Sequence, residues 1–198
     1  MLLIDVIRFD FRKAFDTVCH NKLLSKLNSC GICGNVLSWI EAFLCGRTQS
    51  VRIGEAISAP IPVISGVPQG SVLFLLYIND VGDIFDDLRV SLSLFADDVK
   101  LYTVYKLDAS HNDLQVAVKR LADWASLWQL QIAIPKCTTF RISNQQLEVS
   151  KEISDKSYNT DGCILPFGSY VWDFGIYHYS SLKYDQRVSV IVHSAYYI

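Results

Sequence analysis

The sequence predicts an α+β domain of the split βαβ type, in which helices cover one face of a mainly antiparallel sheet. Three observations lead to this prediction. The apolar, β-branched segment 2–9 is typical of a buried strand. Residues 91–103 alternate apolar and polar side chains around Asp97 and Asp98, which indicates a β-hairpin with the two acids at its tip. Segment 109–129 repeats apolar residues at spacings of three and four, as an amphipathic helix does.

Three shorter helices are predicted between the first strand and the hairpin. The first is predicted to be capped by Asn21 and ended by Gly31, and the second to end at Gly46. The third is predicted over 71–85. The acidic residues at its end and directly after it recur at helical spacing and predict a solvent-exposed face, made of Asp80, Asp83, Asp86 and Asp87.

The other elements follow from strand propensity and turn residues. The further strands are predicted over 48–53, 61–64, 138–142 and 170–176, with a turn at Gly54 between the first two. Residues 65–70 are predicted to form a loop because glycine and proline interrupt them. The long helix is predicted to be capped by Ser110 and cannot continue through Pro135. Residues 182–195 predict the beginning of another helix.

Composition excludes several classes of protein. The 198 residues are 51% hydrophobic and 19% charged, which excludes a disordered chain. No apolar run reaches the about 18 residues that span a bilayer, and no basic segment precedes the apolar start, so we expect an intracellular protein with no signal peptide and no membrane partner. The six cysteines form no disulfide framework or zinc pattern, and we expect mostly buried, reduced thiols.

Three aspartates are the candidates for chemistry. Asp10 ends the first strand, and Asp97 and Asp98 lie at the hairpin tip. Adjacent carboxylates repel one another unless a cation lies between them, and hard oxygen ligands suit Mg²⁺. If the first strand lies beside the hairpin, the three could hold two metal ions for a phosphoryl transfer. The alternatives are ordinary turn aspartates, which are common at hairpin tips, and an unrelated carboxylate–metal hydrolase.

Five ordered motifs identify a family resemblance. They are FDFRKAFDTV at 9–18, SGVPQGSVL at 65–73, FADD at 95–98, WQLQIAIPKC at 128–137 and DFGI at 173–176. In this order and at these spacings they closely resemble the palm of non-LTR retrotransposon reverse transcriptases. The resemblance implies a ferredoxin-like palm sheet with helices on one face.

The resemblance also implies metal and catalytic roles. Asp10 and Asp97 would be the principal ligands of two Mg²⁺ ions, for which Mn²⁺ could substitute, with Asp98 beside them and the Phe11 carbonyl as a backbone ligand. Lys136 matches a lysine near the triphosphate, where an ammonium group could neutralise or protonate the leaving pyrophosphate.

Substrate-binding roles follow in the same way. Phe15 matches the aromatic residue that occupies the space of a ribose 2′-hydroxyl and favours deoxynucleotides, although core packing is its alternative role. Gln69 and Gly70 match the loop that contacts the incoming nucleotide and the template. The implied activity is RNA-directed DNA polymerisation, in which a primer 3′-hydroxyl attacks the α-phosphate. The implied partners are an RNA template, a DNA primer and deoxynucleoside triphosphates.

The alternative function is an inactive retroelement relic or fragment that keeps only the fold. Residues 1–180 would be a partial reverse transcriptase domain, a palm with a remnant of the fingers insertion, and 181–198 the start of a thumb. The segment after Leu73 is about four residues shorter than in the family, and Ala133 replaces the usual asparagine. Fingers and most of the thumb would be missing, so we expect weak nucleic-acid binding from this chain alone.

Overall fold

The computed structural model of the chain describes residues 2–106, 112–143, 157–160, 162–173 and 176–179. Four α-helices lie in these ranges, namely α1 (His20–Ser29), α2 (Gly34–Leu44), α3 (Val72–Ile78) and α4 (Asp113–Leu127). The longer strands are β1 (Leu2–Phe9), β6 (Ser91–Phe95), β7 (Asp98–Lys106), β8 (Thr138–Ser143), β12 (Tyr170–Asp173) and β13 (Ile176–Tyr179). The two-residue strands are β2 (Thr48–Gln49), β3 (Arg52–Ile53), β4 (Ala56–Ile57), β5 (Ile61–Pro62), β9 (Asn159–Thr160), β10 (Cys163–Ile164) and β11 (Phe167–Gly168).

The first strand is the centre of the main sheet. The strand order is β11-β8-β1-β7-β6, and β1 is antiparallel to both of its neighbours. The hairpin of β6 and β7 places β6 at one edge of the sheet. The short β11 lies at the other edge and runs parallel to β8. The sheet is therefore mixed but mainly antiparallel, and the central position of β1 brings its end next to both the hairpin and the segment before β8.

The two faces of the sheet differ in burial. Residues of β1 alternate between buried positions such as Ile7 and Phe9 and half-buried positions such as Val6 and Arg8. The buried residues belong to one hydrophobic core with the inner faces of the helices. The helical side chains at the centre of this core are Leu23, Leu27, Phe74, Leu114, Val118 and Leu121. Among the described residues, no helix is long and apolar enough to cross a membrane.

The predicted helices are present, but several of their ends differ from the prediction. Cys19, rather than Asn21, is the residue before α1, and Asn21 lies in the first turn of the helix. The third helix ends at Ile78 and continues as two 3-10 turns, Asn79–Val81 and Asp83–Phe85. The long helix begins after Asn112, while the predicted cap Ser110 lies outside the described residues. The predicted helix start at 182–195 also lies outside them.

The predicted strands over 48–53 and 170–176 are each divided. Residues 48–62 form two nested antiparallel pairs, β2 with β5 and β3 with β4, and all of these strand residues are exposed. The C-terminal segment forms the antiparallel pair of β12 and β13 instead of one strand. The expectation of mostly buried thiols is wrong, because Cys137 alone among the six is buried.

Candidate functional site

The end of β1 lies beside the tip of the β6–β7 hairpin. The pairing of β1 with β7 ends at Phe9 opposite Val99, so Asp10 and Asp98 are the next residues on the two strands. Phe95 pairs with Asp98, which leaves Ala96 and Asp97 as the two turn residues. Ala96 has a φ of 51°, a left-handed conformation that lets the chain reverse within two residues. The antiparallel register thus brings Asp10 and Asp98 together and places Asp97 in the adjoining turn.

Two basic side chains neutralise these carboxylates. Arg8 donates two hydrogen bonds to Oδ1 of Asp98, from Nε at 3.1 Å and from Nη2 at 2.7 Å. Nζ of Lys136 lies 3.5 Å from Oδ1 of Asp10. Each of the two neighbouring carboxylates therefore has a cation of its own, which offsets their mutual repulsion.

The backbone before β8 carries Lys136 to the site. The Ala133 N–H donates to the Asp10 carbonyl at 2.8 Å, and the Arg12 N–H donates to the Gln131 carbonyl at 2.7 Å. A 3-10 turn, Ile134–Lys136, then directs the chain into β8. Because the contact of Ala133 is made by its backbone, this contact does not depend on which side chain stands at the position.

The donor set suits a hard divalent cation. No group of three His, Cys, Asp or Glu side chains is gathered closely enough to bind a metal ion in the described part of the chain. Mg²⁺, however, commonly uses only one or two protein carboxylates and completes its shell with water and substrate phosphates. Asp10 and Asp98, whose backbones adjoin at the end of the β1–β7 pairing, offer two such carboxylates.

The loop that contains Gln69 and Gly70 is fixed to the segment after β1. The Val67 N–H donates to the Phe15 carbonyl and the Gly66 N–H to the Val18 carbonyl, each at 2.8 Å. Gln69 and Gly70 are both exposed, and Gly70 has a φ of 73°. The loop is thus anchored at its start, while the two predicted binding residues face solvent.

The two predicted phenylalanines lie in different surroundings. Phe11 is buried in the core and its backbone forms a bridge with Ile132. Phe15 is half-buried and stacks on Phe74, with ring centroids 4.3 Å apart. Phe74 directly follows Leu73 and is the first buried residue of α3, and its side chain packs against Phe15.

A buried ionic cluster around Asp5 is not predicted by the sequence pattern. Asp5 is fully buried and accepts two hydrogen bonds from Arg141, at 2.6 and 2.7 Å. The hydroxyl groups of Tyr158 and Tyr105 also donate to Asp5, at 2.6 and 3.0 Å. Burial, followed by the charge of Asp5, raises the pKa of both tyrosines. The sequence signal that could have predicted this cluster is Asp5 itself, an acid at a core-facing position of an apolar strand. A buried carboxylate requires hydrogen-bonding or charged partners.

A second unexpected cluster surrounds Lys26. Its ammonium donates to the Tyr77 carbonyl and to Oδ1 of Asp80, both at 2.6 Å, and lies 3.5 Å from the ring centroid of Trp128. Burial lowers the pKa of Lys26, although Asp80 opposes the shift. Asp80 also accepts a hydrogen bond from Trp124. Asp80, on the acidic face predicted to be solvent-exposed, is 40% exposed and also neutralises the buried ammonium of Lys26.

Comparisons with known proteins agree with the motif pattern. Residues 5–180 match the family described as "Reverse transcriptase (RNA-dependent DNA polymerase)". The chain is 33% identical over 132 residues to the probable RNA-directed DNA polymerase from transposon X-element of Drosophila melanogaster, covering 62% of this chain and 14% of that protein. It is 29% identical over 147 residues to the RNA-directed DNA polymerase from mobile element jockey of the same species, covering 69% and 16%.

Solved structures share the fold. Apo telomerase from Candida tropicalis, truncated from its C-terminal domain, superposes with a TM-score of 0.58 at 14% identity, covering 91% of this chain and 35% of that chain. A telomerase from the same species, in complex with a fragment of telomeric RNA, gives a TM-score of 0.54 at 16% identity, covering 75% and 28%. At these identities the likeness concerns the fold alone.

Proposed function

The chain belongs to the reverse transcriptase family, on its non-LTR retrotransposon branch, and we propose that it supplies the palm of an RNA-directed DNA polymerase. It spans 14% and 16% of the length of the first two curated relatives, so the activity of a whole protein is part of the proposal. Residues 1–180 would form the palm with a remnant of the fingers insertion, and 181–198 would begin a thumb. The partners would be an RNA template, a DNA primer and deoxynucleoside triphosphates.

The observation that carries the proposal is the adjacency of Asp10 and Asp98 at the end of neighbouring strands, with Lys136 beside Asp10. Asp10, Asp97 and Asp98 would hold divalent cations, which would supply charge neutralisation for the attacking 3′-hydroxyl and the leaving group. Asp10 directly follows β1 and Asp98 begins β7, so the pairing of the two strands fixes the backbone positions of both carboxylates relative to each other.

The other residues would bind and orient the substrates. Lys136 would place its ammonium near the leaving pyrophosphate, where it can neutralise charge or donate a proton. Phe15, whose ring stacks on Phe74, would exclude a ribose 2′-hydroxyl. Gln69 and Gly70 would contact the incoming nucleotide and the template, since the exposed amide offers both a donor and an acceptor.

A second candidate function is an inactive relic that retains only the fold. The observation that favours it is that Arg8 is already paired with Asp98, with no preformed three-carboxylate group among the described residues. Arg8 would have to move before a metal ion could bind the Asp98 carboxylate.

Primer extension separates the two candidates. The full chain is given an RNA template, an annealed DNA primer, Mg²⁺ and deoxynucleotides, and Asp97→Ala serves as the control. Extension by the unmodified chain and its loss in the variant would support polymerase activity. Absence of extension by both proteins would favour the inactive relic.

A further inference from the structure

Arg8 lies on the half-buried face of the main sheet, close to the end of β1. It lies two residues before Asp10 on β1, and its register partner on β7 is Lys100. Because side chains alternate along a strand, Arg8, Lys100 and Asp98 lie on the same face, with Asp98 diagonally across from Arg8. A guanidinium at this position can therefore reach the hairpin carboxylate without any change in the backbone.

The contact between Arg8 and Asp98 is concentrated on one oxygen. Nε and Nη2 both donate to Oδ1, at 3.1 and 2.7 Å, and the two side chains are only 28% and 26% exposed. Hydrogen bonds between ionised groups are shorter and stronger than neutral ones, and partial burial reduces the screening by salt. The pair is thus a specific contact rather than a solvated surface ion pair.

The corresponding contact on Asp10 is looser. Nζ of Lys136 lies 3.5 Å from the carboxylate, and the Lys136 side chain is 68% exposed. A solvated ammonium is easily displaced, because its entropy and hydration oppose the pairing. Of the two basic side chains, Arg8 is therefore the stronger competitor for a carboxylate of the site.

We propose that Arg8 competes with a divalent cation for the Asp98 carboxylate and so sets the metal concentration at which the site fills. This inference rests on the proposed function, because it assumes that Asp98 contributes to a metal site. Arg8 also lines a cavity of about 500 Å³ with Thr138 and Tyr170. The cavity gives the guanidinium space to move into when Asp98 exchanges its partner.

Direct metal binding tests the competition without relying on activity. Mn²⁺ is titrated into the full chain at fixed ionic strength, and the free ion is measured by electron paramagnetic resonance. We expect Arg8→Met to lower the Mn²⁺ dissociation constant about fivefold, which is the effect of removing a competing contact of roughly 1 kcal/mol. Arg12→Met removes the same charge from an exposed position near Asp10 and is the matched control, with an expected change below about twofold.

Combining the variants identifies the carboxylate involved. In an Asp98→Asn background, Arg8→Met should have no larger effect than Arg12→Met. Should Arg8→Met fail to fold, as judged by circular dichroism, Arg8→Lys replaces it and is expected to tighten binding by a smaller factor, because a single ammonium makes fewer hydrogen bonds to the carboxylate.

The outcomes distinguish this inference from the proposed function. In one outcome, the unmodified chain binds Mn²⁺ and Asp10→Asn weakens this binding, but Arg8→Met leaves the dissociation constant unchanged. The proposed competition is then wrong, while the proposed metal site is supported. An equal gain from Arg8→Met and Arg12→Met also overturns it, since general charge would then explain the effect. If no variant binds millimolar Mn²⁺, both the inference and the proposed metal site are overturned.

Discussion

Gly66 lies directly against the backbone of Asp16. Its φ is 92°, and a Cβ atom on Gly66 would be 2.8 Å from the Asp16 carbonyl oxygen. The Ser65 hydroxyl donates to that same carbonyl at 2.9 Å. This close approach joins the loop that leads to Gln69 to the segment that follows Asp10, and it requires a residue without a side chain.

Gly66→Ala should therefore destabilise the fold. We expect a loss of about 3 kcal/mol in the free energy of unfolding, from the left-handed backbone and the collision with Asp16. Gly70→Ala is the matched control, because Gly70 has a φ of 73° but no atom within 4 Å of the added Cβ. It should cost about 1 kcal/mol. Urea unfolding measures both variants, and equal losses would contradict the steric explanation.

Removing Arg141 should be more damaging than removing both members of its ion pair. Arg141→Met leaves the buried Asp5 carboxylate without its main cation and should cost about 3–5 kcal/mol. In Asp5→Asn with Arg141→Met, no uncompensated charge remains and the amide oxygen can still accept from the Tyr158 and Tyr105 hydroxyls, so part of the loss should be recovered. Urea unfolding of the two single variants and the double variant measures the coupling. Additive losses would show that the two residues act independently.

Stability should fall as the pH rises above about 10. Burial raises the pKa of Tyr77 to about 12 and also raises the pKa of Tyr158. Because the folded state holds these protons more tightly than the unfolded state, their stabilising effect is complete below the unfolded pKa and is lost as the pH rises towards the folded value.

The effect of alkaline pH is measured as the difference in the free energy of unfolding between the unmodified chain and Tyr158→Phe. Lys26 acts in the opposite direction, because burial lowers its pKa and folding then gains stability as the pH rises towards the ordinary lysine value. This contribution is present in both proteins and cancels in the difference. We expect the stability of Tyr158→Phe to decline less steeply between about pH 9.5 and about pH 11.5, the range around the ordinary tyrosine pKa. If the free energies of unfolding of the two proteins changed in parallel with pH, the Tyr158 hydroxyl would make no such contribution.

Lys136 should affect the rate of primer extension if the chain is active. Lys136→Met removes the ammonium beside Asp10 and should lower the single-turnover rate by about 10²-fold, as the loss of a general acid does. Lys136→Arg should retain more activity because it keeps the charge. Lys119→Met changes an exposed residue of α4 and is the control. A rate that is the same in Lys136→Met and Lys119→Met would exclude this role.

The local patterns predicted most elements but not all of their ends. The strand 2–9 and the turn between Phe95 and Asp98 followed from apolar periodicity and turn chemistry. The helix predicted over 71–85 is longer than the α-helix observed, because the periodicity of apolar residues continues through 3-10 turns that bury Val81 and Phe85 equally well. Periodicity reports which residues face the core, and it does not distinguish these two helical geometries.

Local patterns and motifs in the sequence by themselves determined the family, the order of most of the longer helices and strands, and which acidic residues stand at the end of β1 and at the tip of the β6–β7 hairpin. Only the tertiary structure decided which cation faces which carboxylate. Arg8 reaches Asp98 because antiparallel pairing sets the two strands in one register, and Arg141 reaches Asp5 because β8 lies on the other side of β1. Contacts between residues distant along the chain depend on strand order and register, which no local stretch of sequence specifies.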